Sequence, residues 1–140
     1  MSKLNLEILT PAKRVYSNNV NAVTVPGSLG SFQVLYNHAP LISTFEIGVI
    51  KVIVSESSTV FFSTSGGSIE VLKNKVRILA DSLEAVEDID LERAKNALQR
   101  AKNRLEKKDT EKIDVARAEA ALARAINRIN AVEKYLTLSK

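Results

Sequence analysis

The sequence predicts a chain of the β + α class: an N-terminal antiparallel β-sandwich over residues 1–88, then a C-terminal antiparallel two-helix hairpin over residues 89–140. Three observations carry that expectation. Every Pro and Gly, namely Pro11, Pro26, Gly27, Gly30, Pro40, Gly48, Gly66 and Gly67, lies in the first half. Up to residue 88 the chain is rich in Val, Ile, Ser and Thr with turn residues at intervals, whereas Asp90 to Leu138 is Ala-rich, charged and free of breakers. The second half also carries two apolar seams spaced alternately three and four residues apart.

The first strand is expected at Leu4–Leu9, which alternates loosely and stops at Thr10-Pro11; the next, Val20–Val25, alternates until Pro26-Gly27. Further strands are expected at Ser31–Leu35, Leu41–Phe45, Gly48–Val54, Thr59–Thr64, Ser68–Leu72 and Val76–Ala80. Short strands at that spacing favour an antiparallel sandwich or barrel over a βαβ sheet. Gly66-Gly67 reads as a turn, and Lys73-Asn74-Lys75 as a tight hairpin loop.

In the arm, Leu91, Ala94, Leu98, Ala101 and Leu105 form one seam, and Val115, Ala118, Leu122, Ala125, Ile129, Val132 and Leu136 form another. Lys107-Lys108-Asp109-Thr110-Glu111 between them has no seam residue and turns the chain, after which Asp109 or Asp114 caps the second helix. Alternating Leu with Ala lets the helices approach closely but buries little area per turn. At ~25 cal/mol per Å² the seam is weak for its length, so the hairpin is expected to open or move.

Composition narrows the function. Residues 1–88 hold seven Lys/Arg against eight Asp/Glu, and residues 89–140 thirteen against eight, so the two parts carry −1 and +5. A basic arm suits nucleic acid, an acidic protein surface or a phosphorylated ligand. Tyr135 is its only aromatic residue, too few to stack single-stranded bases. No apolar run approaches the ~20 residues that span a bilayer, and no signal-peptide core follows Ser2-Lys3-Leu4-Asn5, so membrane association is expected to come through partners. Without cysteine there is no disulfide framework and no thiolate nucleophile. His38, the single histidine, reads as a turn residue in Asn37-His38-Ala39-Pro40, and the Gly27–Ser31 loop lacks the Lys-Ser/Thr ending and the βαβ context of a phosphate loop. The carboxylates Glu87, Asp88 and Asp90 lack an EF-hand's spacing and glycine. No catalytic residue and no metal site emerges, and the chain is not read as an enzyme.

The hexamer Ile89-Asp90-Leu91-Glu92-Arg93-Ala94 has two readings. As a helix start, Asp90 is the N-cap, Glu92 favours the positive helix end, and Ile89 with Ala94 forms a hydrophobic staple. As a binding site, Arg93 and Arg100 share a face seven residues apart, Arg124 and Arg128 lie four apart on the second helix, and a compact hairpin would converge all four guanidinia. Such forks match phosphate geometry, leaving Asp90 or Glu84 to accept from an amino group or ribose.

Three segments together carry a family resemblance. Pro26-Gly27-Ser28-Leu29-Gly30-Ser31-Phe32-Gln33-Val34-Leu35-Tyr36-Asn37-His38-Ala39-Pro40-Leu41, Ser65-Gly66-Gly67-Ser68-Ile69-Glu70-Val71 and Val76-Arg77-Ile78-Leu79-Ala80-Asp81 resemble the epsilon subunit of the bacterial-type rotary F-type ATP synthase, nearly end to end. Gln33 stands where that family usually has Gly, and Tyr36 where Pro is common.

The resemblance implies a ten-stranded β-sandwich on the rotor, meeting the gamma subunit and the c-ring around Phe32, His38, Ala39, Pro40 and Leu41. It implies a C-terminal hairpin that lies folded on the sandwich or extends along gamma to the catalytic beta and alpha subunits, inhibiting ATP hydrolysis. Bacterial members also bind ATP through an Ile/Leu-Asp-x-x-Arg-Ala motif, present here as Ile89, Asp90, Arg93 and Ala94, with Glu84, Arg100, Arg124 and Arg128 at matching ligand positions. ATP is then a regulatory ligand, no cofactor is required, and the subunit is peripheral on the cytoplasmic face of the bacterial plasma membrane. Two other classes stay open: a nucleic-acid module using the basic hairpin, and a structural coupling subunit that binds no nucleotide.

Overall fold

The computed structural model describes residues 2–138. Eight strands come first: β1 (Leu4–Leu9), β2 (Arg14–Val20), β3 (Ala22–Val25), β4 (Phe32–Leu35), β5 (Leu41–Ser55), β6 (Ser58–Leu72), β7 (Lys75–Ala80) and β8 (Leu83–Ala85). A 3-10 turn at Val86–Asp88 leads into helices α1 (Leu91–Glu106) and α2 (Val115–Tyr135), and a second follows at Leu136–Leu138.

Hydrogen bonding links the strands in the order β2-β1-β7-β6-β5-β3-β4, with β8 also on β6. Two long strands make this a sandwich. The first half of β5 and the second half of β6 carry β7, β1 and β2, while their other halves carry β3 and β4 on one side and β8 on the other. Counted once per layer, β5 and β6 raise the eight strands to the ten that the resemblance implies. The sequence reading splits each of them in two, and here it is corrected. Gly66 and Gly67 are not a turn between strands but the bend inside β6, where the register with β5 passes from Glu46↔Gly66 to Gly48↔Thr64. Glycine is required there, because a Cβ on Gly67 would run into the Leu79 carbonyl of the neighbouring strand.

Other expectations are modified by tertiary pairing. Val20–Val25 is two strands: Asn21 separates β2 from β3, which go to opposite layers. The polar stretch Arg14–Asn19 pairs with β1 although it lacks apolar alternation, and β1 runs parallel to β7 in a sheet otherwise antiparallel. The Lys73-Asn74 loop is as expected. Both residues have positive φ, 49° and 63°, as a two-residue hairpin of matching twist demands. Between the layers, Leu4, Leu6 and Ile8 of β1 are fully buried against Val23, Val25, Val34, Ile50, Val52, Phe62, Ile69, Val71, Val76 and Ile78.

Each helix starts at an aspartate. Asp90 Oδ1 accepts from the Arg93 N–H at 3.1 Å and Asp114 Oδ1 from the Arg117 N–H at 3.0 Å, so Asp114, not Asp109, caps α2. The seams meet through their small residues: Ala94, Ala101, Ala118, Ala125 and Val132 are buried, while Leu98, Leu105, Leu122 and Ile129 are only half-buried. With no third layer over the pair, the longer side chains lie along its margins. Leu136 falls beyond α2 and is exposed.

The hairpin is folded down on the sandwich. Ile89, Ala131 and Val132 bury themselves with Phe61 of β6 and Val86, bordered by Val49, Leu91 and Tyr135. The Tyr135 ring stacks on Phe61 at 4.6 Å between centroids.

Candidate guanidinium pocket between arm and sandwich

Glu84 is the centre of the site. It lies on β8, which pairs Ser63↔Glu84 with β6 in the layer that also holds β3 and β4, and its side chain meets α2. Arg128 meets it with both arms of its fork, Nε donating to Oε1 at 2.9 Å and Nη2 to Oε2 at 3.2 Å. Neither side chain is fully buried, with 29% of Arg128 and 36% of Glu84 exposed, so the pair has desolvated its inner edges only. Two of the five guanidinium N–H groups are used there, which leaves three for another acceptor.

Beside this pair opens a pocket of ≈ 460 Å³ lined by Glu84, Arg93, Asn96, Ala97, Arg100 and Arg128. Arg93 and Arg100, two turns apart on α1, share its wall, and neither makes an ion pair among the described residues. The arrangement is one sandwich carboxylate and three helix guanidinia, with one of the three already engaged. It presents two free forks to an anion.

Arg124 lies on the far side. It lines an adjoining pocket of ≈ 320 Å³ with Ser63, Ser65, Ser82 and Asn127, and the two pockets share Glu84 and Arg128 as a common wall. The sequence-predicted residues thus separate by role. Glu84, Arg93, Arg100 and Arg128 come together; Arg124 faces the next hollow; Asp90 spends a carboxylate oxygen on the helix cap; Ile89 packs in the apolar contact with the sandwich; and Ala94 is sealed against the second helix.

The expected rotor-facing residues fall at the two ends of β4 and at the start of β5. Phe32 opens β4 and packs against the core, filling the space a Cβ on Gly27 would need. His38 closes the turn after β4, its N–H bonded to the Leu35 carbonyl and its Nδ1 donating to the Ala39 carbonyl at 2.7 Å. Pro40 leads into β5, whose first residue, Leu41, packs on the core. Asn37 and Asn74 clasp this turn to the β6–β7 hairpin, the Asn37 N–H donating to Asn74 Oδ1 and Asn74 Nδ2 to Asn37 Oδ1 at 3.2 Å.

Two features escape the sequence. Leu35, Tyr36, Ile42 and Leu72 are exposed near the clasp, an apolar surface hidden among ordinary strand residues. Asn127 reaches from α2 into the sandwich, its Nδ2 2.9 Å from the Gly48 carbonyl and 3.1 Å from Ser63 Oγ. Its only signal in the sequence is an amide in an Ala-rich helix, where asparagine is a poor helix former.

Comparison with known proteins gives a consistent result. Residues 3–86 match the family described as ATP synthase, Delta/Epsilon chain, beta-sandwich domain, and residues 87–133 the ATP synthase, Delta/Epsilon chain, long alpha-helix domain. The ATP synthase epsilon chain of Salinibacter ruber is 41% identical over 112 residues, covering 74% of this chain and 75% of that one. That of Pelotomaculum thermopropionicum is 47% identical over 103 residues, covering 74% and 76%. Among solved structures, a chain of the Euglena gracilis mitochondrial ATP synthase OSCP/F1/c-ring assembly superposes with a TM-score of 0.77 at 20% identity, over 91% of this chain and 79% of its own. A chain of the Tetrahymena thermophila mitochondrial ATP synthase central stalk/c-ring gives 0.56 at 16% identity, over 94% and 95%. At those identities the structures speak for the fold alone, while the sequence matches, which cover both the sandwich and the helices, settle the family: the chain belongs to the ATP synthase epsilon chains.

Proposed function

We propose that this chain is a non-catalytic rotor subunit of an F-type ATP synthase, coupling the catalytic head to the ion-conducting c-ring and inhibiting ATP hydrolysis through its C-terminal helices, with ATP as the regulatory ligand that holds them folded. Support for the assembly comes from the fold's neighbours, which belong to complexes named for F1, the c-ring and the central stalk. The apolar surface at Leu35, Tyr36, Ile42 and Leu72, next to His38, Ala39 and Pro40, offers an end for gamma and the c-ring. No described helix is long and apolar enough to cross a membrane, which suits a peripheral subunit held at the cytoplasmic face by its partners. The +5 arm offers the charge for an acidic surface on the beta and alpha subunits.

The observation that carries the nucleotide reading is that the pocket has walls from both parts of the chain, Glu84 from the sandwich and Arg93, Arg100 and Arg128 from the arm. A ligand there binds the docked arm and loses its site when the arm lifts. Its phosphates would take the free forks of Arg93 and Arg100 and the remaining N–H groups of Arg128. Binding one state only stabilises it by RT ln(1 + [L]/Kd), about 2.7 kcal/mol at a hundredfold excess, which is enough to oppose extension of a seam buried mainly through alanines. High ATP holds the arm down, and falling ATP releases it to block hydrolysis.

The test is an ATP titration of the full chain followed by amide NMR. Saturable shifts centred on Arg93, Arg100 and Glu84 at millimolar ATP or below support the reading. Their absence favours the purely structural coupling subunit, a second reading favoured by one observation: Glu84 and Arg128 already form a two-bond ion pair without a ligand.

A further inference from the structure

Asn127 does something that the guanidinium pocket does not explain. It sits one residue before Arg128 and three after Arg124, and it points into the bend where β5 and β6 cross between layers. Its carboxamide nitrogen has two hydrogens and finds the Gly48 carbonyl at 2.9 Å, Ser63 Oγ at 3.1 Å and, more distantly, the Thr64 carbonyl at 3.5 Å. Ser63 and Thr64 are the buried polar residues among those described. The acceptors lie 63 to 79 residues away in the chain, so no local rule of helix formation asks for this amide. Asparagine costs a helix something, and the tertiary bonds offset it.

Apart from the Arg128–Glu84 pair at the sandwich margin, the remaining contact between α2 and the sandwich is apolar: Ala131, Val132 and Tyr135 against Phe61 and Val86. Apolar contact has no direction, and by itself would tolerate a helix that slides or rolls. Hydrogen bonds do not. One amide in two short bonds fixes both the rotation of α2 and its position along its axis, and with them the place of the Arg128 fork above Glu84.

We propose that Asn127 is the positioning residue of the folded arm: its amide latches α2 to the β5–β6 bend and thereby registers Arg128 on Glu84. The idea rests on the reading above that the arm leaves the sandwich in its working cycle. Polar groups suit a latch that must open, because on release water replaces each bond and the free-energy change is small, whereas a larger apolar contact would weld the arm down.

Native signals report the latch. The Tyr135 ring stacks on Phe61 and is one of three tyrosines, so ring-current-shifted resonances follow docking, and the Arg128 Nε–H follows the pair with Glu84. Asn127→Asp keeps the shape and removes every donor, placing a carboxylate against two carbonyls. Asn127→Leu keeps the size and removes the polarity. Without nucleotide, loss of one net hydrogen bond raises the undocked population about fivefold, read by relaxation dispersion at Tyr135, and Asn127→Asp raises it further. The Arg128 Nε–H signal broadens or disappears with it, while core signals from Leu6 and Ile78 stay in place and show the sandwich intact. Ser63→Ala loosens the arm in the wild-type background and adds less in Asn127→Leu, the non-additivity expected of a direct partner. Asn127→Gln, with its amide on a longer stem, restores part of the docking. The proposal is overturned if Asn127→Asp and Asn127→Leu leave Tyr135 and Arg128 as in wild type, or if Ser63→Ala is fully additive. Because no nucleotide is used, failure of ATP binding leaves this result readable, and failure of the latch leaves the ATP titration readable.

Discussion

Arg93→Ala separates a helix start from a ligand site. The structural work of the hexamer is done by groups this substitution leaves alone: Asp90 caps through the backbone N–H of residue 93, which alanine retains, Ile89 is buried against Phe61 and Val86, and Ala94 is untouched. The Arg93 side chain is exposed, forms no ion pair among the described residues, and lines the pocket opposite Glu84. Alanine is also the better helix former, so thermal stability is expected to change by no more than about 0.5 kcal/mol. ATP affinity is expected to change far more. A charge-assisted contact between guanidinium and phosphate is worth about 1.5 to 3 kcal/mol, which corresponds to a ten- to hundredfold rise in Kd. Calorimetry of ATP binding and a thermal melt on wild type and variant decide it together. Unchanged affinity beside unchanged stability would show that Arg93 is an ordinary solvated residue, and no binding by wild type at millimolar ATP would remove the site altogether. Arg124→Ala is the internal control: it lines the neighbouring pocket, so its effect on ATP is expected to be several-fold smaller.

Three further outcomes follow from the packing. A chain ending at Asp88 is expected to fold and to join the rotor while losing inhibition, because the principal core lies within residues 4–80 and the arm covers a separate small apolar cluster at Phe61, Val86 and the bordering Val49; an unfolded fragment by circular dichroism would show that the arm is part of the sandwich's stability. Leu98→Ala and Leu122→Ala are expected to cost about 1 to 2 kcal/mol each, below the 2 to 5 kcal/mol of a sealed leucine, since both are half-buried; hydrogen exchange along α1 and α2 measures it, and unchanged protection would refute the seam. Gly67→Ala forces a Cβ into the Leu79 carbonyl and is expected to destabilise the sandwich by at least ~2 kcal/mol in denaturant titration, where a neutral result would mean the bend can shift.

Much of this molecule is written locally. The spacing of Leu91, Ala94, Leu98, Ala101 and Leu105 and its echo from Val115 onward specify two helices and which faces meet, because helical period and seam are set by neighbours three and four residues away. The cap at Asp90, the Lys73-Asn74 hairpin and the alternation of Leu4, Leu6 and Ile8 are legible for the same reason. Grouping the arginines by helix face also locates most of the pocket.

The rest depends on contacts across the fold. Gly66 and Gly67 look like a turn, and only the close approach of the β7 backbone makes them a bend within one strand. Arg14–Asn19 becomes a strand because β1 offers an edge, not because its own pattern asks for one. Arg124 and Arg128 lie one helical turn apart and cannot be told apart by spacing, yet Glu84, 44 residues from Arg128, takes one and leaves the other. Sequence by itself determined the parts and their apolar faces, since those follow from the period of the backbone; tertiary structure alone decided where the arm rests and which charges pair, since hydrogen bonds and ion pairs are directional and short-ranged and their partners are brought together only by the completed fold.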